Sequence, residues 1–317
     1  MYTLLLASTP LRMLLIAPMS VLLIFVDGLG IGTRGHHNPL DLLAAQIAAP
    51  LAHFQDEVSP IPHDGILTTT DARLGVEGRP QSASGQTTIL TGVNAPAALG
   101  FHKQGFPNEQ LREIIRQHSI FLQLGRARVG PNVFANAYTR RFFDARPRWV
   151  SATTVAVESA ALQFRTIDDV RSGRALYHDF TNQLLIEAGE DVEKRTPGVA
   201  AQVLADVSSE HRFTLYEYFL TDRMGHQQNV AGALAVLTGL AAFVRAVLDS
   251  IDLSRTTVML TSDHGNIEDL SVRNHTLNYV PTVAWGARCE IVKRRVRSLA
   301  DITPTIVEIL TQKETPR

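Results

Sequence analysis

Residues 21 to 26, VLLIFV, form an unbroken apolar run of strand length, the pattern of a central parallel strand covered on both faces. Residues 213 to 220 and 256 to 262 are likewise rich in β-formers, and each of these three runs stops at or near an acidic residue. Helical periods lie between and around them. Residues 108 to 118 carry Leu111, Ile114 and Ile115 on one face behind a capping Asn108. Over residues 230 to 248, Val230, Leu234, Leu237, Ala241, Val244 and Leu248 recur at helical spacing, which predicts a core stripe. Weaker signals predict a helix over 39 to 48 opened by Pro39, a β-rich stretch over 65 to 75, and strands over 132 to 138 and 281 to 285. A final helix is expected with Thr303 as its cap and Pro304 at its first position. Strands alternating with helices in this way predict an α/β fold on a mostly parallel sheet.

Two stretches stand outside that rhythm. Residues 139 to 210 show helical text at 177 to 187 and 197 to 210 but no strand of the core type, so they are expected to form a small inserted lid. The core would then comprise 19 to 138 and 211 to 317. Residues 1 to 18 are apolar, but Pro10 and Pro18 interrupt them and Arg12 lies inside the run rather than ahead of it. Such text fits neither a signal peptide nor a membrane anchor and reads as a dispensable extension before the first strand.

Composition narrows the chemistry. With 317 residues and a formal net charge of −1, the chain has a full core and no global basic field for nucleic acid. The single cysteine, Cys289, excludes a disulfide framework and a thiolate cluster, and it suits a cytoplasmic protein. Any metal ligands must therefore be histidines and carboxylates. The expected partner is a small molecule rather than a nucleic acid or a membrane, and the oligomeric state is left open.

The polar residues at the strand ends supply that set. Asp27 closes the first run, Asp222 and His226 follow the second at a spacing of four, and Asp263 and His264 close the third. His275 follows in a loop. The carboxyl ends of parallel strands are where ligands bind in open α/β sheets. Gly28 and Gly30 fit the first two glycines of a dinucleotide fingerprint, but Thr33 occupies the third place and Asp27 would repel a pyrophosphate. In GRPQSASGQTTILTG, residues 78 to 92, Ser82 and Ser84 precede a predicted helix, where a hydroxyl suits an anionic group. Three carboxylates, three imidazoles and a hydroxyl exceed the needs of one metal and match two divalent ions. Arg126 to Arg148 holds six arginines and one acid, Asp144; of these Arg140, Arg141, Arg146 and Arg148 are candidate contacts for an anionic substrate.

The motifs VLLIFVDGLGIG, QSASGQTTILTG, TDRMGH, SDHGNIED, NHTLNYVP and SLADITPTIVEIL make the chain resemble the alkaline phosphatase superfamily, and within it the cofactor-independent phosphoglycerate mutases and phosphopentomutases. The likeness spans the core from Val21 to Leu310 and omits residues 139 to 210. It implies a three-layer α/β/α sandwich and two divalent ions, Mn2+ or Zn2+. One ion would be held by Asp222, His226 and His275. The other would be held by Asp27, Asp263, His264 and Ser82, with Ser82 as nucleophile because Gly85 and Gly92 align it, rather than Ser84, with the mutase motif. Two departures stand out: Gln86 replaces the histidine of the mutases, and the large insertion of the bacterial phosphoglycerate mutases is absent. The resemblance implies phosphoryl transfer on a small phosphorylated metabolite through a phosphoserine, in the manner of a mutase. A phosphatase or phosphodiesterase is the alternative, and a metal-binding scaffold without turnover is the alternative from another class.

Overall fold

The computed structural model describes residues 19–57, 60–145 and 147–312. Eight strands form among them: β1 (Ser20–Val26), β2 (Ile66–Thr70), β3 (Asn132–Phe134), β4 (Ala137–Tyr138), β5 (Arg165–Thr166), β6 (Phe213–Tyr218), β7 (Thr256–Thr261) and β8 (Val280–Gly286). The main sheet runs in the order β2-β8-β7-β1-β6-β3. Strands β3, β6, β1 and β7 are parallel, while β8 lies antiparallel to both β7 and β2. β1 is thus a central strand with parallel neighbours on both sides, which explains its unbroken apolar text: both faces are covered, so neither face needs polar residues.

The two faces of β1 feed two separate cores. Leu22, Ile24 and Val26 point into one, and Val21, Leu23 and Phe25 into the other, the period of two expected of a strand. Truncating a residue such as Ile24 to alanine would cost about 2–5 kcal/mol in lost burial and residual cavity. Helices cover both faces. We label the principal ones α1 (Ser82–Thr91), α2 (Glu109–His118), α3 (Ala152–Ser159), α4 (Pro197–Ser209), α5 (Leu220–Gln227), α6 (Val230–Ser250) and α7 (Ile302–Thr311). α4 and α6 pack together over one face, and α1, α2, α3 and α7 over the other. This is the three-layer α/β/α arrangement. α6 is long and apolar enough to cross a membrane, but Leu237, Leu240, Ala241, Val244 and Val247 on it are buried in the core.

Several local expectations change in detail. The helix over 39 to 48 is two short helices, Pro39–Leu42 and Ala45–Ala48, with Asn38 capping the first through Leu40 N. Residues 132 to 138 split between two sheets, because β4 leaves the main sheet to pair with β5. At the last helix Thr303 is not the cap: α7 begins at Ile302, a short 3-10 turn Leu299–Asp301 precedes it, and Ser298 and Asp301 form a capping box there. The Thr303 hydroxyl donates instead to Ile89 O on α1, so a buried interhelical bond takes the side chain.

Within residues 139 to 210, α3 packs beside α1 and α2, and α4 runs along α6, so both helices are part of the layers. Outside the layers stands a small unit around β4 and β5, with its own cluster of Ala137, Ile167, Val170, Ala175 and Leu185.

Candidate metal centre

Because β6, β1 and β7 are adjacent and parallel, their carboxyl ends meet at one edge. β1 delivers Asp27 there, β7 delivers Asp263 and His264, and β6 leads into α5, which carries Asp222 and His226 one turn apart. The loop after β7 returns His275 to the same point. α1 starts opposite, with Gln81 extended before it and Ser82 in its first turn. Gly85 lets α1 sit this close: a Cβ there would lie 3.0 Å from Asp263 Cβ and from its carbonyl oxygen. Gly28 has a φ of 76° and faces the Asp222 backbone, so any side chain would meet both strain and a clash.

Two foci result. In the first, His226 Nε2 lies 3.3 Å from Asp222 Oδ2, His275 Nε2 lies 3.5 Å from Asp222 Oδ1, and the two Nε2 atoms are 3.1 Å apart. The other nitrogen of each ring faces a carbonyl: His226 Nδ1 is 2.9 Å from Arg273 O and His275 Nδ1 is 2.8 Å from Pro80 O. A carbonyl only accepts, so each Nδ1 carries a proton, and in the neutral ring each Nε2 presents a lone pair. Two lone pairs and a carboxylate therefore converge with no hydrogen between them. That arrangement repels itself unless a cation sits among the three groups, and the carbonyls provide the outer support usual for metal-bound imidazoles.

In the second focus, His264 Nε2 lies 3.0 Å from Ser82 Oγ, 3.3 Å from Asp27 Oδ1 and 3.5 Å from Asp263 Oδ2. Asp27 Oδ1 is buried and lacks a hydrogen-bond donor. The ligand atoms of Asp27, Asp222 and His264 also lie within 4.8 Å of one another, so Asp222 stands between the two foci. The His264 and His275 rings stack at 3.6 Å with 13° between their planes. Gln86 Nε2 donates to Asp263 Oδ2 at 3.2 Å and to Asp27 Oδ2 at 3.4 Å, so the residue that departs from the mutase motif holds both carboxylates in place.

Burial sets the protonation of this cluster in the absence of cations. Asp27 and Asp263 are pushed well above the usual carboxylate range, first by burial and then by neighbouring carboxylates. His264 is pushed well below the usual imidazole range by burial and then by the other two histidines, and burial lowers His275 as well. Divalent ions would reverse the cost for the carboxylates and need neutral imidazoles, so this donor set fits metal.

The two serines part company. Ser82 is half-buried and faces His264. Ser84 is fully buried and tied into the loop frame: its hydroxyl donates to Gln81 O and accepts from Lys103 N. The arginine set is not drawn in. Arg140 pairs with Asp144 at 3.5 Å and is 90% exposed, Arg148 packs over Trp149, and Arg141 is exposed. Arg146 lies outside the described residues. None of the described arginines among these four has a hydrogen bond or ion pair to the seven metal-centre residues.

Three supporting residues were not among the candidates read from the sequence, although Asn266 and Glu268 lie within SDHGNIED. Glu268 is fully buried and accepts from Gly30 N, Asn266 N, Thr276 Oγ1 and Asn278 Nδ2, so it ties the loops after β1 and β7 together. Asn266 Nδ2 donates to Asp222 Oδ1 at 2.6 Å. Glu217, on β6 beneath the centre, accepts from Thr153 Oγ1, and burial raises its carboxyl to about 8.

Comparison with known proteins agrees with this architecture. Residues 186–314 match the family model described as the Metalloenzyme superfamily. A phosphoglycerate mutase of the 2,3-bisphosphoglycerate-independent type from Mycoplasma pneumoniae is 29% identical over 128 residues, 38% of this chain and 25% of the relative. The corresponding mutase of Wolbachia pipientis wMel is 35% identical over 114 residues, 32% of this chain and 21% of the relative. The matched stretches thus span about a quarter or less of these relatives. Among solved structures, the PH0037 protein of Pyrococcus horikoshii superposes with a TM-score of 0.57 at 12% identity, covering 95% of this chain and 99% of that one. A cold-active alkaline phosphatase of Shewanella sp. gives 0.50 at 11% identity, covering 93% of this chain and all of that one. The fold is alkaline-phosphatase-like. Within that frame the chain carries the Metalloenzyme superfamily pattern in its carboxyl-terminal part and resembles the cofactor-independent phosphoglycerate mutases there.

Proposed function

We propose that the protein is a phosphoryl-transfer enzyme dependent on two divalent ions, acting on a small phosphorylated metabolite through a phosphoserine at Ser82. The observation that carries this reading is the convergence of His226 Nε2 and His275 Nε2, 3.1 Å apart, on Asp222, with Ser82 Oγ at the neighbouring focus 3.0 Å from His264. Asp222, His226 and His275 would hold one ion; Asp27, Asp263, His264 and Ser82 would hold the other. Three imidazoles among the donors favour Mn2+ or Zn2+ over Mg2+. Such ions, when bound, supply positive charge to the phosphoryl oxygens and lower the pKa of a neighbouring hydroxyl.

The chain's own residues supply the rest. The Ser82 hydroxyl gives its proton to solvent as its oxygen attacks phosphorus, the bond from phosphorus to the ester oxygen breaks as the bond to Ser82 forms, and the departing oxygen takes a proton from solvent to leave as a hydroxyl. Gln86 keeps Asp27 and Asp263 oriented throughout. In a mutase the released hydroxyl compound turns and takes the phosphoryl group back at another oxygen; in a hydrolase water takes it. We favour the mutase, on the resemblance of the core motifs. One observation favours the hydrolase: α3 and α4 are built into the layers, which leaves the unit around β4 and β5 as the smaller cap available to exclude water. A cytoplasmic location completes the reading.

The test is to load the purified protein with Mn2+, count bound ions by elemental analysis, and incubate it with 3-phosphoglycerate, ribose 1-phosphate and a chromogenic phosphate ester. About two ions per chain and an isomeric phosphate are expected. Phosphate release with no isomer would make it a hydrolase, and two bound ions with no turnover of any ester would leave a metal-binding scaffold.

A further inference from the structure

We propose that a groove of about 370 Å3 beside the metal centre receives the organic part of the substrate, and that it takes a hydroxylated ring, as in a phosphorylated sugar. This rests on the phosphoryl-transfer reading, which assigns the metal centre to the phosphoryl group. Leu277, Tyr279, Arg73 and Glu77 are among the residues that line the groove. Both stretches of its lining are close in sequence to residues of the centre. Leu277 follows His275 by two residues, and Glu77 precedes Arg79 by two, a span of at most about 7 Å in each case. Arg79 closes the join, because its guanidinium donates to His275 O at 3.0 Å and the next residue, Pro80, accepts from His275 Nδ1. Ser82 lies three residues further on.

The lining points to a class of ligand. Tyr279 is 57% exposed and Leu277 is 47% exposed, an apolar face that the described residues leave uncovered. A tyrosine ring offers a large, rigid contact surface at little cost in side-chain freedom. In the same groove Arg73 and Glu77 are exposed, and their side chains have no hydrogen-bond or ion-pair partner among the described residues. Asp71, by contrast, is spent on Arg73 N and Leu74 N. A hydroxyl both donates and accepts, so a ring bearing several of them satisfies a guanidinium and a carboxylate together while its face lies on Tyr279. A plain aryl group would leave Glu77 and Arg73 unanswered. The volume falls in the range of about 300–1,000 Å3 typical of small-molecule sites.

The experiment compares a hexose phosphate, phenyl phosphate, ethyl phosphate and inorganic phosphate on the Mn2+-loaded full chain, by turnover and by calorimetric binding. The wild type should prefer the hexose phosphate to ethyl phosphate at least tenfold in kcat/KM or in affinity. Tyr279→Ala should reduce that preference about tenfold, chiefly through KM, with bound metal unchanged. Glu77→Gln should weaken the hexose phosphate several-fold relative to phenyl phosphate. Equal preference for hexose and ethyl phosphate, or an equal loss on both in Tyr279→Ala, overturns the subsite. Phenyl phosphate preferred to hexose phosphate overturns the hydroxylated class. Failure to bind inorganic phosphate at all overturns the phosphoryl-transfer reading itself, whereas phosphate binding without any ring preference removes only the subsite.

Discussion

The two ends of the central sheet each hold a cavity, and they could hardly differ more in kind. At the amino ends of the strands a hollow of about 500 Å3 is lined by residues such as Ser20, Gly130, Arg212 and Arg255, and it is larger than the groove beside the metal centre. Some of its polar groups are engaged in holding the chain together: Arg212 donates to Met19 O and Leu310 O, and Ser20 bonds Thr256. At the carboxyl ends the opposite holds. The His226 and His275 Nε2 atoms face each other at 3.1 Å, and Asp27 Oδ1 lacks a hydrogen-bond donor among the described residues. Ligand-type groups converging on one point, rather than empty volume, mark the candidate functional end.

The sharpest way to break this comparison is Ser82→Ala. It should lower turnover by about three orders of magnitude or more and abolish phosphoserine in mass spectra, while the fold and much of the metal remain. Ser84→Ala should instead act through the loop frame, lowering stability by about 1–3 kcal/mol as Lys103 N and Gln81 O lose a buried partner. The reverse order of damage would move the nucleophile by two residues. Next in size is His275→Ala, expected to lose about one of two ions and at least about a hundredfold of activity, since removing one ligand opens the first focus. Elemental analysis decides it, and full metal content in that variant would undo the ligand assignment.

A third prediction concerns Glu217. Its carboxyl titrates ordinarily near 4.5 and near 8 when buried, so between those values the folded state holds a proton that the unfolded state has lost. Stability therefore falls as pH rises through that window, by about 1.4 kcal/mol per unit at most. Denaturant titrations of chelator-treated protein at pH 5 and pH 8 should show a smaller difference in Glu217→Gln than in the wild type. An identical difference would mean that the carboxyl is not protonated in the fold. The smallest effect belongs to the amino end: Arg255→Ala should leave turnover within about twofold, and a tenfold loss there would erase the contrast between the two ends.

What sequence reading captured and missed follows the same division. β1 was readable because a doubly covered strand must be apolar throughout, and Asp27, Asp222, Asp263 and His264 were readable because polar residues interrupt such text only for a reason. The helix behind Asn108 formed as its cap predicts. The antiparallel placement of β8 was hidden, since strand direction depends on which neighbour the chain returns to rather than on local pattern. Glu217 and Glu268 escaped notice for a related reason. Each lies one step from expected ligands, but its importance comes from burial and from partners such as Thr153 and Gly30 that are distant in sequence. The arginines after residue 139 drew attention by density alone, and density says nothing of direction.

Glu268 also bears on how the proposed centre would select its cation. Four donors from the loops after β1 and β7 converge on one buried carboxylate, and none of those bonds involves a metal-centre residue. The loops are therefore held in position before any ion arrives. A centre that folded around its ion would adapt to whichever species came first; one braced in advance presents a fixed spacing, and ions of the wrong radius or coordination preference meet it at a penalty. Discrimination among cations is then a property of the scaffold's stiffness, set by a residue that need never touch the ion.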